Sequence, residues 1–210
     1  MTELTTEVRD AGRVRRVLNI IDSSGLRAAN LRVLDLASRT GAFISALSDE
    51  GMHVTGVEGR VDNIQHILPH PNSTVIHADV RDLLTVAAGP FDVSLCLGIL
   101  YHLTLPDAVQ LLHDLATVTD GLVIVDTHVS QMGISTASLD GVTYSGSFYD
   151  EGEAPTLWSS IGNRTSWWFD EPSLLRAMSG AGLTAATIVS GAAYADEPPD
   201  RQWFTAWSTP

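Results

Sequence analysis

The spacing of apolar positions changes several times along the chain, and each change predicts a different element. Residues 5–22 carry apolar side chains at helical spacing, which predicts an amphipathic helix ahead of the rest of the fold. After it, short runs rich in β-branched residues alternate with helical patterns. The predicted strands are Leu31–Leu36, His53–Glu58, Thr74–Ala78, Phe91–Leu97 and Gly121–Thr127, and the predicted helices are 42–50, 60–68, 80–87 and 106–118. This alternation, with its short connections, predicts a parallel, doubly wound α/β sheet.

The alternation stops after His128. Residues 129–169 contain scattered Gly and Ser, no long period, and seven of the chain's 14 aromatic residues. A helix is predicted again at 171–181, followed by strands near Thr184–Val189 and Trp203–Ser208. Because the segment between these two strands is short and contains two adjacent prolines, we expect an antiparallel hairpin there and not another crossover.

The domain organisation follows from this change of pattern. We predict a single domain over 1–210 in which residues 1–29 form an N-terminal helical lid. Residues 129–169 form an insertion within this domain.

Composition and charge narrow the function classes. The 210 residues include 12 Arg, no Lys and 25 Asp plus Glu, giving a formal net charge of −13. An anionic surface argues against nucleic acid as the main partner, because phosphate binding needs a cationic footprint. No run approaches the ~20 apolar residues of a membrane span, so we expect no membrane partner. The first residues are acidic where a signal peptide is basic, and the single cysteine, Cys96, fits a reducing compartment, so we expect a cytoplasmic protein.

Carboxylates stand at the ends of three predicted strands. Asp35 is followed by a turn of small residues that leads to Gly41 and a helix, which is the layout of a nucleotide-binding turn. Glu58 ends the next strand about 20 residues later, where an acid can accept hydrogen bonds from both ribose hydroxyls. Asp79 ends the third strand, beside the expected position of a base. The G-x-G-x-x-G dinucleotide fingerprint is absent, since only Gly41 of that pattern is present.

These segments resemble those of class I S-adenosylmethionine-dependent methyltransferases. The likeness rests on Val33–Phe43, Gly56–Arg60 with Asn63, Ala78–Val80, and Phe91–Leu103, which contains a G-x-L-Y-H-L stretch. That branch includes uridine-modifying tRNA enzymes and many bacterial methyltransferases. The resemblance implies a Rossmann-like, seven-stranded sheet whose last strand is antiparallel, and S-adenosylmethionine as the cofactor.

The same resemblance implies a set of cofactor-binding residues. It places Asp35 and Gly41 at the methionine end, Glu58 on the ribose, and Asp79 and Val80 around the adenine. The full set is Asp35, Ala37, Ser38, Arg39, Gly41, Glu58, Gly59, Asn63, Asp79, Val80 and Leu97.

The first turn departs from the family pattern, because Ala37 and Arg39 stand where glycines are usual. Ala37 is tolerated there if its φ is negative. Arg39 either pairs with the carboxylate of the cofactor or fills the cofactor site of a protein that no longer methylates.

Four residues are candidates for the chemistry. Tyr101 and His102 follow the fourth strand, where the methyl group meets the acceptor in this fold, although His102 could also cap the next helix. Asp126 and His128 lie on the same side of the fifth strand, so the carboxylate could orient the imidazole for acid–base work. The alternative for this second pair is a buried polar anchor for the following loop.

In the fold that the resemblance implies, residues 129–169 lie over the pocket, so we expect them to form a cap that binds the substrate. We expect aromatic rings of the insertion to form an apolar cavity around the acceptor, and Arg164, the only cation of that segment, to recognise an anionic group. The candidates are Tyr144, Phe148, Trp158, Arg164 and Trp167. The alternative is that these tryptophans pack over a sheet face or at a contact in a homodimer. His66 and His70 are separated by Pro69, which ends the helix before both rings share a face, so no metal site is expected.

We therefore expect methyl transfer to an oxygen, nitrogen or carbon of a small-molecule acceptor, O- or N-methylation above all. Catalysis would consist mostly of positioning and desolvation. Two alternatives are a non-catalytic cofactor-binding or scaffold protein with this fold, indicated by Arg39, and an RNA methyltransferase, which requires an arginine-lined face.

Overall fold

The computed structural model describes residues 6–26, 29–132, 134–152 and 159–208. The helices are α1 (Thr6–Ser23), α2 (Ala42–Asp49), α3 (Val61–Ile64), α4 (Leu83–Val86), α5 (Leu105–Val118) and α6 (Glu171–Gly180), with 3₁₀ turns at Val80–Asp82 and Leu100–His102. The strands are β1 (Arg32–Leu36), β2 (His53–Glu58), β3 (Ser73–His77), β4 (Phe91–Leu97), β5 (Thr119–His128), β6 (Ser135–Leu139), β7 (Val142–Asp150), β8 (Thr165–Phe169), β9 (Leu183–Val189) and β10 (Arg201–Ser208).

The main sheet has seven strands in the order β3-β2-β1-β4-β5-β10-β9. The first five are parallel, and β10 runs antiparallel to both β5 and β9. The doubly wound α/β fold with a seven-stranded sheet and an antiparallel last strand is confirmed.

Alternating side chains of the strands fill a hydrophobic layer on each face of the sheet. Leu34, Leu36 and Cys96 point to the layer that contains α5 and α6. Val33 and Leu95 point to the opposite layer, where α1 and α2 pack. Burial on both faces explains why the strands are apolar almost throughout.

The ends of the longer helices follow local sequence signals. Thr104 caps α5, and its hydroxyl accepts a hydrogen bond from the Asp107 amide, with a proline in the first turn. Asp170 caps α6 in the same way through the Ser173 amide at 2.8 Å. The predicted helix at 60–68 is shorter than expected, since α3 ends at Ile64 and the side chain of Leu68 is left exposed. The predicted helix at 80–87 divides into a 3₁₀ turn and α4.

The insertion at 129–169 contains a small sheet that its sequence did not predict. Strands β6, β7 and β8 form a three-stranded antiparallel sheet in that order. Strand β6 has no buried residue, and it is made of Ser, Thr and Ala before its last residue. A strand with so little apolar alternation gives no periodic signal.

None of the helices in the described part of the chain is both long and apolar enough to cross a membrane.

Candidate functional site

A cavity of about 560 Å³ opens at the carboxyl edge of the parallel strands, between α1 and the insertion. It lies near β1, where the strand order changes direction: β2 and β3 lie on one side of β1, and β4 and β5 lie on the other. Ligands bind at such points in open α/β sheets. Of the predicted cofactor residues, eight line this cavity. They are Ala37, Arg39, Glu58, Gly59, Asn63, Asp79, Val80 and Leu97.

The carboxylate of Glu58 is held in place at the end of β2. It is 3% exposed, and its two oxygens accept hydrogen bonds from the amides of Arg39 and Arg60 at 2.7 and 2.8 Å. Asn63 Nδ2 donates a third bond at 3.2 Å. These donors fix the side chain at the cavity wall, where its remaining lone pairs can accept from a ligand's hydroxyl groups.

Asp79 and Arg81 form a second fixed group, at the end of β3. The carboxylate of Asp79 accepts from the Arg81 amide at 3.0 Å and from the Arg81 guanidinium at 2.6 and 2.9 Å. Burial alone would raise the pKa of Asp79, but the bonds from Arg81 outweigh it and hold that pKa below its usual value. Arg81 also donates to the Ile161 carbonyl at 2.6 Å, which connects the strand end to the insertion.

The turn after β1 adopts left-handed backbone at three positions. Ala37 and Arg39 have φ of 53° and 50°, and Gly41 has φ of 83°. The condition under which Ala37 is tolerated without strain, a negative φ, is therefore not met. Ala37 and Arg39 carry a Cβ, which adds strain in left-handed backbone.

Glycine at position 37 is therefore expected to stabilise the protein. Ala37→Gly should raise the free energy of unfolding in urea by about 1 kcal/mol, the cost of a left-handed Cβ. Gly41→Ala is the matched opposite, because its added Cβ would lie 2.8 Å from Ile67 Cγ2 at a φ of 83°. A destabilised Ala37→Gly variant would contradict the assigned backbone.

Three predicted cofactor residues, one in β1 and two in the turn that follows it, are not among the residues that line the cavity. Asp35 is 1% exposed, and its Oδ2 has no hydrogen-bond partner among the described residues. Ser38 donates from its hydroxyl to the Asp35 carbonyl at 2.8 Å. Gly41 begins α2 next to Ile67. These positions show that the three residues shape the turn, and their contact with a cofactor stays a prediction.

The side chain of Arg39 lies along the cavity wall. Its guanidinium is 3.7 Å from the carboxylate of Asp10, on the first turns of α1. The cavity keeps about 560 Å³ with this side chain in place.

Asp126 does not pair with His128, which corrects the predicted acid–base pair. Its fully buried carboxylate lies between two arginines. Arg13 of α1 donates to it at 2.9 and 3.1 Å, and Arg201 of β10 donates at 2.6 and 2.9 Å. A guanidinium fork binds a carboxylate more strongly than a neutral imidazole can, so Asp126 joins α1 to the sheet.

His128 lines the cavity beside a different acid. Its Nδ1 is 3.2 Å from the Asp200 carboxylate, but the two are not aligned for a hydrogen bond. Burial lowers the pKa of His128, and the nearby Arg201 guanidinium lowers it further. The imidazole is therefore neutral at physiological pH.

Four rings form an aromatic wall on one side of the cavity. Trp168 stacks against His128 and Tyr149, with ring centroids 4.9 and 4.6 Å apart. Tyr101 meets the His128 ring edge-on at 4.6 Å. All four rings line the cavity.

Four of the predicted substrate residues, Tyr144, Phe148, Arg164 and Trp167, are not among the residues that line the cavity. Tyr144 and Trp167 are buried in the core below the insertion, and Phe148 packs on Trp167 with its outer side exposed. Neighbouring residues of a strand point to opposite faces, so the cavity receives Tyr149 and Trp168 instead. Arg164 is exposed and outside the cavity lining. Trp158 lies outside the described residues.

His102 pairs with an acid that sequence reasoning did not identify. Its Nδ1 is 3.0 and 3.1 Å from the two carboxylate oxygens of Glu151, which follows β7. Both side chains line the cavity. Arg13, Tyr194 and Arg201 are other lining residues that were missed, and no local motif marks any of them.

Within the described ranges, no group of His, Cys, Asp and Glu is arranged to hold a metal ion.

Comparisons with known proteins bear on this site. The family model described as a methyltransferase domain matches residues 10–188. No curated protein matches the chain.

Solved structures share the fold. The chain is similar to the N-terminal domain of EvdMO1, crystallised in the presence of SAH (S-adenosylhomocysteine) and D-fucose, with 24% identity and a TM-score of 0.77 over 99% of this chain and 86% of that one. It is also similar to magnesium protoporphyrin IX methyltransferase (ChlM) from Synechocystis PCC 6803 with bound SAH, with 15% identity and a TM-score of 0.64 over 100% and 90%. A third is an S-adenosylmethionine-dependent methyltransferase from Clostridium acetobutylicum ATCC 824, with 12% identity and a TM-score of 0.63 over 98% and 92%.

Proposed function

The chain belongs to the methyltransferase-domain family, and from this premise we propose that it transfers the methyl group of S-adenosylmethionine to a small-molecule acceptor. Bound S-adenosylmethionine supplies an electrophilic methyl group on a sulfonium sulfur. The chain's own residues bind it, hold the acceptor in line with it and exclude water from both.

The observation that carries this proposal is the fixed Glu58 carboxylate. It is buried, it is held by three donors, and it borders a cavity whose volume of about 560 Å³ suits a ligand of this size. A carboxylate in that position accepts from both ribose hydroxyls. Val80 and Leu97 supply apolar contacts for an adenine next to it, and Arg39 offers a cation for the carboxylate at the methionine end.

The aromatic wall supports a small-molecule acceptor. Tyr101, His128, Tyr149 and Trp168 give one side of the cavity an apolar surface, and the insertion closes over it. Such a site holds a small molecule and removes water around the transferring methyl group. The net charge of −13 disfavours a polyanionic acceptor such as RNA. In this proposal α1 and the insertion act as lid and substrate cap.

Calorimetric titration with S-adenosylhomocysteine tests the function. The parent protein should bind it, and Glu58→Gln should weaken binding by about 10- to 100-fold, because one accepting oxygen becomes a donor facing the ribose hydroxyls. Glu50→Gln, at an exposed residue after α2, is the matched control and should leave binding unchanged.

Circular dichroism of each variant separates lost binding from lost folding. A folded parent protein that gives no heat with S-adenosylhomocysteine would overturn the proposal and favour a scaffold protein with this fold.

A further inference from the structure

The insertion places a buried carboxylate against the imidazole that follows β4. We propose that His102 is the general base of the reaction, that Glu151 is its positioning residue, and that the acceptor is a hydroxyl compound methylated on oxygen. This inference rests on the proposed function and specifies its substrate class.

The contacts of Glu151 fix both its position and its role. Its side chain is 4% exposed. One oxygen accepts from Ser166 Oγ at 2.7 Å, the other from the Ser160 amide at 3.1 Å, and both lie within 3.1 Å of His102 Nδ1. Burial alone would raise the pKa of Glu151, but the bonds from His102 and Ser166 outweigh it and keep the carboxyl ionised.

An ionised carboxylate only accepts hydrogen bonds, so Nδ1 of His102 must carry the proton. In the neutral ring the lone pair is then on Nε2. A carboxylate that orients an imidazole in this way is also found in sites that combine a nucleophile, a base and an acid. The imidazole lines the cavity, and its ring centroid is 4.3 Å from that of Tyr101.

The insertion also holds the backbone of residues 101–103 through hydrogen bonds. Three successive carbonyls accept hydrogen bonds from it: Tyr101 from Trp168 Nε1 at 3.0 Å, His102 from Asn163 Nδ2 at 3.2 Å, and Leu103 from the Trp167 amide at 2.8 Å. A base held by both its side chain and its backbone keeps the geometry that proton transfer requires.

His128, the other histidine of the cavity, lacks this support. Its Nδ1 has no hydrogen-bond partner among the described residues, and its ring is stacked on Trp168. Of the two histidines, only His102 has a hydrogen-bonded carboxylate partner in the described chain.

The presence of a base selects the acceptor class. A neutral amine attacks through a free lone pair and can lose its proton to water afterwards, whereas a hydroxyl oxygen becomes a strong nucleophile only as its proton leaves. In the proposed step, Nε2 of His102 takes the hydroxyl proton while the acceptor oxygen bonds to the methyl carbon. The bond between that carbon and sulfur breaks, its electron pair remains on sulfur, and neutral S-adenosylhomocysteine is released. The imidazolium, stabilised by Glu151, then loses its proton to solvent.

Two measurements on the full chain test the proposal. The first is long-range ¹H–¹⁵N NMR of histidine-labelled protein saturated with S-adenosylhomocysteine at pH 8, with the His102 signals assigned by their loss in His102→Asn. We expect a proton on Nδ1 and none on Nε2 in the parent protein, and a mixture of the two tautomers in Glu151→Gln. Asp150→Asn, at the neighbouring exposed residue, is the control and should leave the tautomer unchanged.

The second measurement is methyl transfer from tritiated S-adenosylmethionine to a panel of sugars, phenols, aliphatic alcohols and hydroxy acids, with the matching amines. We expect turnover with hydroxyl members only. His102→Asn should lower kcat by about 10²- to 10⁴-fold, and Glu151→Gln by about 10-fold or more, with the KM for S-adenosylmethionine unchanged.

Three results would overturn the inference: a proton on Nε2 of the neutral ring, turnover confined to amines, or no turnover by a protein that binds S-adenosylhomocysteine. Failure to bind S-adenosylhomocysteine at all would instead overturn the proposed function.

Discussion

Arg201→Ala is expected to lower the free energy of unfolding by about 3 kcal/mol or more, because it leaves a buried charge partly uncompensated. The carboxylate of Asp126 is 0% exposed and shares its bonds between Arg13 and Arg201. Burial alone would raise the pKa of Asp126, but Arg201 and Arg13 outweigh it and hold that pKa below its usual value. The stability that this depressed pKa contributes is present above the unfolded-state pKa of about 3.9 and is lost as the pH falls through the folded-state value.

Chemical denaturation at pH 7 measures the effect. Arg13→Ala should also destabilise the protein, and it should in addition release α1 from the sheet, which hydrogen exchange of α1 amides would detect. The double variant Asp126→Asn/Arg201→Gln should recover part of the lost stability, because the buried negative charge at position 126 is removed together with Arg201. Arg13 then keeps Asp10 as its charged partner. Arg176→Ala, at an exposed arginine, is the control and should cost less than about 1 kcal/mol. If Arg201→Ala lowered the free energy of unfolding as little as Arg176→Ala does, the pairing of Arg201 with Asp126 would be contradicted.

The second large effect concerns the pH dependence of stability. Burial raises the pKa of Asp35 from 3.8 to about 7. The folded state therefore holds a proton that the unfolded state releases, and stability falls as the pH rises from the unfolded value to the folded one. The penalty grows by about 1.4 kcal/mol per pH unit between roughly pH 5 and 6.5 and levels off above pH 7, for a total on the order of 4 kcal/mol.

Asp35→Asn isolates this contribution, because asparagine has a similar shape and does not titrate. The difference in unfolding free energy between the variant and the parent protein should shift in favour of the variant from pH 5 to pH 7, and should then stay constant to pH 8. Other titrating groups are common to both proteins and cancel in the difference. A difference that is flat over this range would show that Asp35 is already ionised at pH 5 in the folded protein.

The main sheet could be predicted from sequence because its strands are buried on both faces. His53–Glu58 and Phe91–Leu97 were predicted with the bounds that the structure has, since apolar β-branched runs leave little choice of register. Strands β6 and β7 of the insertion gave no such signal, because one face of each is polar or exposed.

Some residues of the site could also be predicted from the sequence, and others could not. Glu58 and Asp79 could be found because a strand end and its acid are adjacent in sequence, and parallel strands bring such ends together. The partners of His102 and Asp126 could not, since 49 residues separate His102 from Glu151, and 113 separate Arg13 from Asp126. That Trp168 and not Trp167 lines the cavity could not be predicted for a different reason: the face of β8 is set by its pairing with β7, which a single sequence does not reveal.

The order of the strands affects how the protein is made. Strand β10 lies between β5 and β9, so β9 reaches the ribosome exit before the strand that it pairs with. Until residue 201 emerges, Asp126 also lacks one of its two arginines. Until β10 is made, both β9 and the edge of β5 lack the strand with which they pair. The pairing of β10 with β5 therefore also brings Arg201 to Asp126, beside the cavity that Arg201 lines.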